Sequence, residues 1–465
     1  MEGDTLWHIK TGEWIVNHRI IPTHDFYSWT VHGSKWTAHE WLWEVIAYYF
    51  YFAFKKWGIW MLTCIGIILY AFSLFGLLKR RVSLAGASFL LIFALIIADN
   101  AWSGRPHVLA HGLFGLTVYL VFTGRENCKR LYLLPFIILF WANIHSSVPM
   151  GVLFAASVYV YSFFFSDYYE KNTKEHRILG VTVFLMLLTS FISQQGPGLW
   201  YYTFFASSDK EIINNITEWW SPDFHVPMNL ISLLLMFLVF VLPLVIKKKN
   251  IALFELLFAA VTCSMWLYQI RQIPYFAFAG TLFLASALHE MNFNKKTAHA
   301  IAVMLIIVFS VMSVTMWPPK WLECPRERVF FPVKAVEFMK QHDLTKNVFN
   351  HYSWGGYLIW SGIPNFIDGR ADMYISSGKE VFQDYLRIML LRDEKNVKDT
   401  DPLMLLKKWK VQTILIPHNS LLILMLDKEK KEWEKVYEDK SSVIYVNKQY
   451  SSCQISQTER KLLKP

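Results

Sequence analysis

Long apolar runs, separated by short clusters of charge, dominate this chain. They fall at about 57–78, 82–99, 106–123, 131–147, 148–166, 177–193, 226–246, 251–267, 273–289 and 299–317. Each reaches or approaches the ~20 residues that a helix needs to cross the hydrocarbon core of a bilayer. Helices are the expected form, because lipid offers no partner to a backbone N–H or C=O. The pattern predicts a multi-pass α-helical bundle of about ten spans. Residues 41–54 are apolar but too short to span; their tryptophans and tyrosines suit the headgroup level, and Lys55 and Lys56 end the run. A helix lying at the interface is predicted there. After residue 318 the pattern changes. Asn347–Asn350, Asn365–Asp368, Val411–Pro417 and Ser442–Val446 read as strands, and 380–392 and 402–409 as helices. Strands alternating with helices predict a small α/β domain. The chain thus divides into a first loop with its interfacial helix (1–56), a transmembrane bundle (57–317), a soluble domain (318–450) and a polar tail (451–465).

Composition agrees with that division. The chain is 54% hydrophobic and only 18% charged, too little charge for a soluble protein of 465 residues. Its net charge of +10 does not point to nucleic acid, because the basic residues cluster in alternate loops. One set of loops holds Lys79, Arg80, Arg81, Arg125, Lys129, Arg130, Lys171, Lys174, Arg177, Lys247, Lys248, Lys249, Lys295 and Lys296. The other set holds Arg105, Lys210 and Arg271. Basic loops stay cytoplasmic, so the first loop and the C-terminal domain are expected to be extracytoplasmic. Export of the first loop would need a span ahead of it, and Met1–Asp4 has no signal-peptide character; a further helix upstream is expected. Cys324 and Cys453 both fall on the outward side and are read as free thiols.

The polar residues that carry chemistry lie in the outward segments. The first loop holds Asp4, His8, Asp25, His39 and Glu40. Asp4 and His8 share a face if the start is helical, and a carboxylate shielded from bulk water can act as a general base. Arg105, His145 and Arg271 sit in the smaller outward turns, and Glu218 lies near the end of a second long outward loop, 194–225. An outward arginine runs against the orientation rule, which points to a specific task such as holding a phosphate. In the domain, Asp368 and Arg370 occupy a polar turn after an expected strand, a usual place for binding groups. Glu255, one turn into its span near the cytoplasmic end, is expected to reach for the headgroups. Phosphate-loop, HExxH, paired CxxC and GxSxG motifs are absent.

Two stretches carry a resemblance. One runs Asp4-Thr5-Leu6-Trp7-His8, Gly12-Glu13-Trp14-Ile15, Pro22, Asp25, Trp36 and His39-Glu40-Trp41-Leu42. The other is Asn350-His351-Tyr352-Ser353-Trp354-Gly355-Gly356-Tyr357 with Phe366-Ile367-Asp368-Gly369-Arg370-Ala371-Asp372. Together with the layout, they resemble a bacterial, mannosyltransferase-like branch of the GT-C membrane glycosyltransferases. The resemblance implies that Asp4 matches the first-loop catalytic acid. It also implies an inverting transfer of sugar from a polyprenyl-phosphate donor to an envelope acceptor on the outer face of a bacterial cell membrane. Asp4 would activate or orient the acceptor hydroxyl, Arg105 or Arg271 would neutralise the leaving phosphate, and the remaining polar groups would bind substrate. A divalent metal held by Asp4 with His8 or Glu218 is a further expectation. The competing readings are a non-catalytic scaffold of envelope polymer assembly and a lipid or polymer transporter.

Overall fold

A computed structural model describes residues 2–205, 210–245, 252–288, 331–391 and 401–450. Two compact units emerge: His39–Pro318, and Met1–Ala38 together with Pro319–Pro465. In chain order the helices are α1 Gly3–His18, α2 Trp41–Phe54, α3 Lys56–Leu78, α4 Leu84–Ile97, α5 Pro106–Gly124, α6 Leu134–Ala142, α7 Pro149–Tyr161, α8 Lys174–Ser190, α9 Gly198–Phe205, α10 Lys210–Asn215, α11 Pro227–Val245, α12 Leu253–Tyr268 and α13 Ile273–Leu288. The C-terminal residues add α14 Val333–Gln341, α15 Gly355–Trp360, α16 Ala371–Ser377, α17 Lys379–Leu390, α18 Pro402–Lys408 and α19 Leu422–Leu426. Their strands are β1 Val348–Asn350, β2 Thr413–Pro417, β3 Trp433–Glu438 and β4 Ser442–Asn447.

The unit His39–Pro318 is a helical bundle. Every expected span up to 273–289 carries a helix; the expected span 299–317 lies outside the described residues. Among the described residues, Lys56–Leu78, Pro106–Gly124 and Pro227–Leu244 are long and apolar enough to cross a membrane. The others are shorter because turns claim residues that hydropathy alone gives to the spans. Helix α6 stops at Ala142, where the Asn143 amide donates to the Leu139 and Ile192 carbonyls, both at 2.9 Å. Helices α3 and α5 cross through glycine: a Cβ on Gly66 would lie 2.7 Å from the Val108 carbonyl oxygen, and one on Gly112 would lie 2.6 Å from that of Gly66. Small residues let backbones approach in this way where packing, rather than water exclusion, holds helices together.

The two sets of loops that the charge pattern separates each meet among themselves. In the basic set, Arg80 pairs with Glu126, and Arg125 donates to the Asp167 carbonyl at 3.0 Å. Glu255 corrects an expectation here. Its carboxylate is 2% exposed and does not reach outward. It accepts from Arg81 at 2.6 Å, Ser286 at 2.5 Å and Tyr168 at 2.9 Å. The partners come from three other segments, so the acid is satisfied inside the bundle end and has no need of headgroups.

In the other unit, the expected loop over 1–56 is not one piece. Residues 3–18 form α1, and residues up to Ala38 fold with the C-terminal domain, whereas α2 belongs to the bundle. The reason is apolar burial: Leu6 joins a core with Phe331, Val336, Met339, Trp354, Leu358 and Leu415. The sheet has the order β1-β2-β4-β3, with β1 and β2 parallel and the other pairs antiparallel. Three expected strands are present. The fourth, Asn365–Asp368, is not a ladder strand; Asn365 makes only isolated bridges to Ser28 and Val348. The Asn350 side-chain oxygen takes the Phe366 amide at 2.8 Å, which turns the segment away from strand pairing. Strand β3 was not expected. It hides in a run of lysines and glutamates and forms the charged sheet edge that discourages pairing with another chain. Residues 451–465, Cys324 and Cys453 lie outside the described residues.

Candidate functional site

At one end of the bundle the segments before α2, before α5, after α6 and before α13 converge. Trp41 donates its indole N–H to the Asn143 side chain at 2.9 Å, and the Leu42 amide donates to the Asn143 carbonyl at 3.2 Å. These bonds hold the start of α2 against the turn that carries His145. In that frame the Glu40 carboxylate lies 3.5 Å from His145 Nε2 and 4.0 Å from His39 Nε2. The Ser147 amide donates to His145 Nδ1 at 3.1 Å. A ring nitrogen that accepts from an amide carries no proton, so in the neutral imidazole the proton sits on Nε2, facing Glu40. Glu40 occupies the N-cap position of α2 but makes no cap hydrogen bond. Its side chain is thus directed away from the helix amides, where an N-cap acid ordinarily bonds.

The row continues into the bundle. The His145 and His107 rings are 6.4 Å apart, and those of His107 and His111 are 5.6 Å apart. His107 and His111 are one turn apart on α5. His111 is buried, and its Nδ1 has no hydrogen-bond partner among the described residues. Its four-residue spacing from His107 was the available sequence signal, but its place inside an apolar span concealed it. On the far side, the His39 ring lies 4.8 Å from that of Tyr202 on α9.

The same end holds the two arginines. Arg105, just before α5, donates to Glu218 at 2.6 Å. Arg271 lies over the Trp219 ring at 4.5 Å, and the Ile270 amide donates to the Trp220 carbonyl at 2.8 Å. Desolvation pushes the Glu218 carboxyl up, but Arg105, with Arg271 behind it, outweighs that and holds it below the usual carboxylate range. The turns bearing Arg105, Glu218 and Arg271 are therefore brought together, and a carboxylate rests on the guanidinium of the first.

The remaining expected residues lie in the other unit. Asp25, Asp368 and Arg370 form one buried cluster. Arg370 donates to Asp25 at 2.7 Å and to Asp368 at 2.8 and 2.7 Å. Its guanidinium lies 4.6 Å from the centre of Trp36 and 5.1 Å from that of Tyr27. Ser28 donates to Asp25 at 2.5 Å; Tyr374 and Asn365 donate to Asp368 at 2.9 and 2.8 Å. Burial would raise the Asp368 carboxyl, but Arg370, with the Asn365 amide, holds it low. Asp4 and His8 share a face of α1 in the same unit. Asp4 accepts from the Trp7 indole at 3.2 Å, and the His8 ring stacks on Trp7 at 3.6 Å. A side chain at Gly369 would collide with the Asp4 carboxylate. Glycine at that position thus lets Asp4 lie over the turn that Asp368 and Arg370 frame. Among the described residues, no group of three or more His, Cys, Asp and Glu side chains is placed to hold a metal ion.

No known family profile matches this sequence, and no curated protein matches it. The fold does match solved structures. The oligosaccharyltransferase of Archaeoglobus fulgidus, tethered to an acceptor peptide containing the NVT sequon, covers 97% of this chain and 70% of its own at 10% identity, with a TM-score of 0.54. Its apo form covers 98% and 71% at 9% identity, with a TM-score of 0.53. ArnT from Cupriavidus metallidurans, bound to undecaprenyl phosphate, covers 96% and 93% at 10% identity, with a TM-score of 0.48. The oligosaccharyltransferase likeness shows the fold alone: a helical bundle with a small C-terminal α/β domain.

Proposed function

We propose that this chain is a glycosyltransferase that takes a sugar from a polyprenyl-phosphate donor and passes it to an envelope acceptor at the outer face of a bacterial cell membrane. The observation that carries the reading is the gathering of Arg105, Arg271 and Glu218 at one end of an apolar bundle. Two guanidiniums at that place form a seat for an anion whose tail is lipid. Guanidinium suits phosphate because its fork of donors matches the oxygens. In the resting protein Glu218 occupies Arg105, so an arriving phosphate displaces a half-exposed carboxylate toward solvent. The charge pattern puts this end outside. During transfer the bond from the sugar to phosphate breaks, negative charge grows on the departing oxygen, and preformed donors stabilise it without reorganising.

Asp4 is the acid that the resemblance assigns to the acceptor, to activate its hydroxyl or to orient it. Asp25, Asp368 and Arg370 spend their hydrogen-bonding capacity on one another, and we assign them to the architecture beneath Asp4. The test uses purified full-length protein with undecaprenyl-phosphate-linked hexoses as donors and envelope vesicles as the source of acceptor. The protein is expected to release undecaprenyl phosphate and to bind it. Arg271→Ala should weaken that binding by about 10–100-fold, since a hydrogen bond to a charged group is worth ~1.5–3 kcal/mol. A wild-type protein that neither binds undecaprenyl phosphate nor releases it would leave the scaffold or transporter reading in its place.

A further inference from the structure

We infer that His111 binds a hydroxyl of the donor's sugar, one layer below the arginines that seat its phosphate; this rests on the transferase reading above. The imidazole lies inside the bundle, 5% exposed, and its Nδ1 has no hydrogen-bond partner among the described residues. An unpaired polar atom in a dry interior destabilises the protein that holds it. The polar groups next to His111 are directed elsewhere. The Trp102 indole N–H donates to the Leu95 carbonyl at 3.0 Å. His107 turns Nε2 to the Ala101 carbonyl, also at 3.0 Å. A carbonyl only accepts, so that ring carries its proton on Nε2 and donates it there.

The place of His111 ties it to the anion seat. Arg105 stands just before α5 and Arg271 just before α13. His111 follows the first by six residues and Tyr275 follows the second by four. The two helices bring these rings together, with centres 5.2 Å apart and planes at 86°. The His107 ring lies 5.6 Å from that of His111, and the Trp102 ring 6.2 Å. Helical rise puts His111 roughly 9 Å from Arg105 along α5. Two groups are joined to a phosphate held at the arginines, the prenyl chain and the sugar. The prenyl chain has no hydrogen-bonding atom and cannot satisfy Nδ1. A sugar hydroxyl both donates and accepts, so it fits either tautomer of a neutral imidazole, whereas a phosphate oxygen only accepts. Aromatic walls around one placed polar group are the usual make-up of a site that reads a small ligand.

His111 is thus a specificity residue and takes part in no bond-making step. A site that hydrogen-bonds a substrate hydroxyl rejects the analogue that lacks it, because the protein's own polar group then stays unpaired. The resting protein already carries that unpaired atom. An apolar side chain at this position therefore removes a destabilising group, and the fold should tolerate it.

The experiment measures binding by purified full-length protein of undecaprenyl phosphate, undecaprenyl-phosphate mannose and undecaprenyl-phosphate glucose, then of the monodeoxy forms of the tighter hexose donor. The wild type is expected to bind one hexose-linked lipid more tightly than the bare phosphate. It should lose about 3–10-fold at one deoxy position, the net contribution of a hydrogen bond. His111→Leu should bind bare undecaprenyl phosphate like the wild type and the hexose-linked lipid about 3–10-fold more weakly. It should also be indifferent to that deoxy position, as two groups in contact require, and its melting temperature in detergent should not fall. His111→Gln keeps a hydrogen-bonding group and should restore part of the sugar preference. The wild-type sugar preference and deoxy loss persisting in His111→Leu overturn the inference and leave a buried water as the partner of Nδ1. Loss of bare-phosphate binding in both variants overturns it too, by making the residue part of the scaffold. A wild type that binds the bare and sugar-linked lipids equally removes the sugar site and keeps the anion seat. A wild type that binds none of these lipids removes the transferase reading itself, and the sugar site with it.

Discussion

Removing the Arg370 guanidinium tests whether the buried cluster is architecture. In Arg370→Met the apolar stem survives, but two carboxylates, each buried and within 2.7 Å of the guanidinium, lose their cation. Breaking a buried pair from one side costs ~3–5 kcal/mol, because the remaining charge stays desolvated. At roughly 2–4 °C per kcal/mol for a unit of this size, the midpoint of thermal unfolding should fall by about 6–20 °C. Arg370→Lys should recover part of that. An ammonium restores the charge but neither the fork on Asp368 nor the stacking between Trp36 and Tyr27.

The pH dependence gives an independent sign. In the wild type, desolvation would raise the Asp368 carboxyl, but Arg370 holds it below its unfolded value. The group's contribution is therefore complete above the unfolded pKa of ~3.9 and fades as pH falls through the lower folded value. The wild type should keep this stability at pH 5. In Arg370→Met the carboxyls are desolvated without a counter-charge, so their folded pKa values rise above the unfolded ones, and protonation relieves them. The gap between variant and wild type should narrow as pH is lowered from 8 to 5. The assay is slow thermal unfolding of the full-length protein in detergent, followed by tryptophan fluorescence; Trp36 against the guanidinium makes this unit visible. A loss below about 1 kcal/mol, or a gap that widens toward pH 5, would refute the architectural assignment, and the substrate-binding role expected from sequence would return.

Two further outcomes follow from the bundle. Arg81→Met should destabilise it by about 3 kcal/mol, the lower end of the range for a half-broken buried pair, because among the described residues Glu255 is left with Tyr168 and Ser286; an unchanged melting temperature in detergent would mean that the cluster does not tie the segments together. In a cysteine-free background, a cysteine replacing His225 should react with an impermeant thiol reagent in intact cells and one replacing Lys171 should not; the reverse labelling would put the proposed site in the cytoplasm.

Hydropathy alone located the helices of the bundle, because lipid forces the backbone into helix whatever the side chains do. It did not locate their ends. The stop of α6 depends on the side-chain amide of Asn143 finding the Ile192 carbonyl, 49 residues away, and no local pattern encodes that. The N-terminal segment was misread for a related reason. Its polar and aromatic residues suit a loop at a membrane surface, yet Leu6 is buried in the domain core, and its partners begin more than 300 residues later. Charge patterning misled in two places. The lysine and glutamate run that conceals β3 is what an edge strand needs on its exposed side. In Glu255 an acid inside an apolar span looked solvent-seeking, because its partners Arg81, Tyr168 and Ser286 are scattered along the chain.

The site shows the same limit from the other direction. The sequence named Glu40, His39 and His145, and could not rank them above Asp25, Asp368 or Arg370, since all are polar residues in segments of one charge class. Environment ranks them. Arg370 and its two acids are fully buried and meet one another's charge, so any substrate group would have to displace an interaction made in a dry interior. Glu40 has the His145 and His39 imidazoles beside it, and it stands at a helix start whose amides its side chain does not cap. That contrast decides which acid of this chain should be changed first.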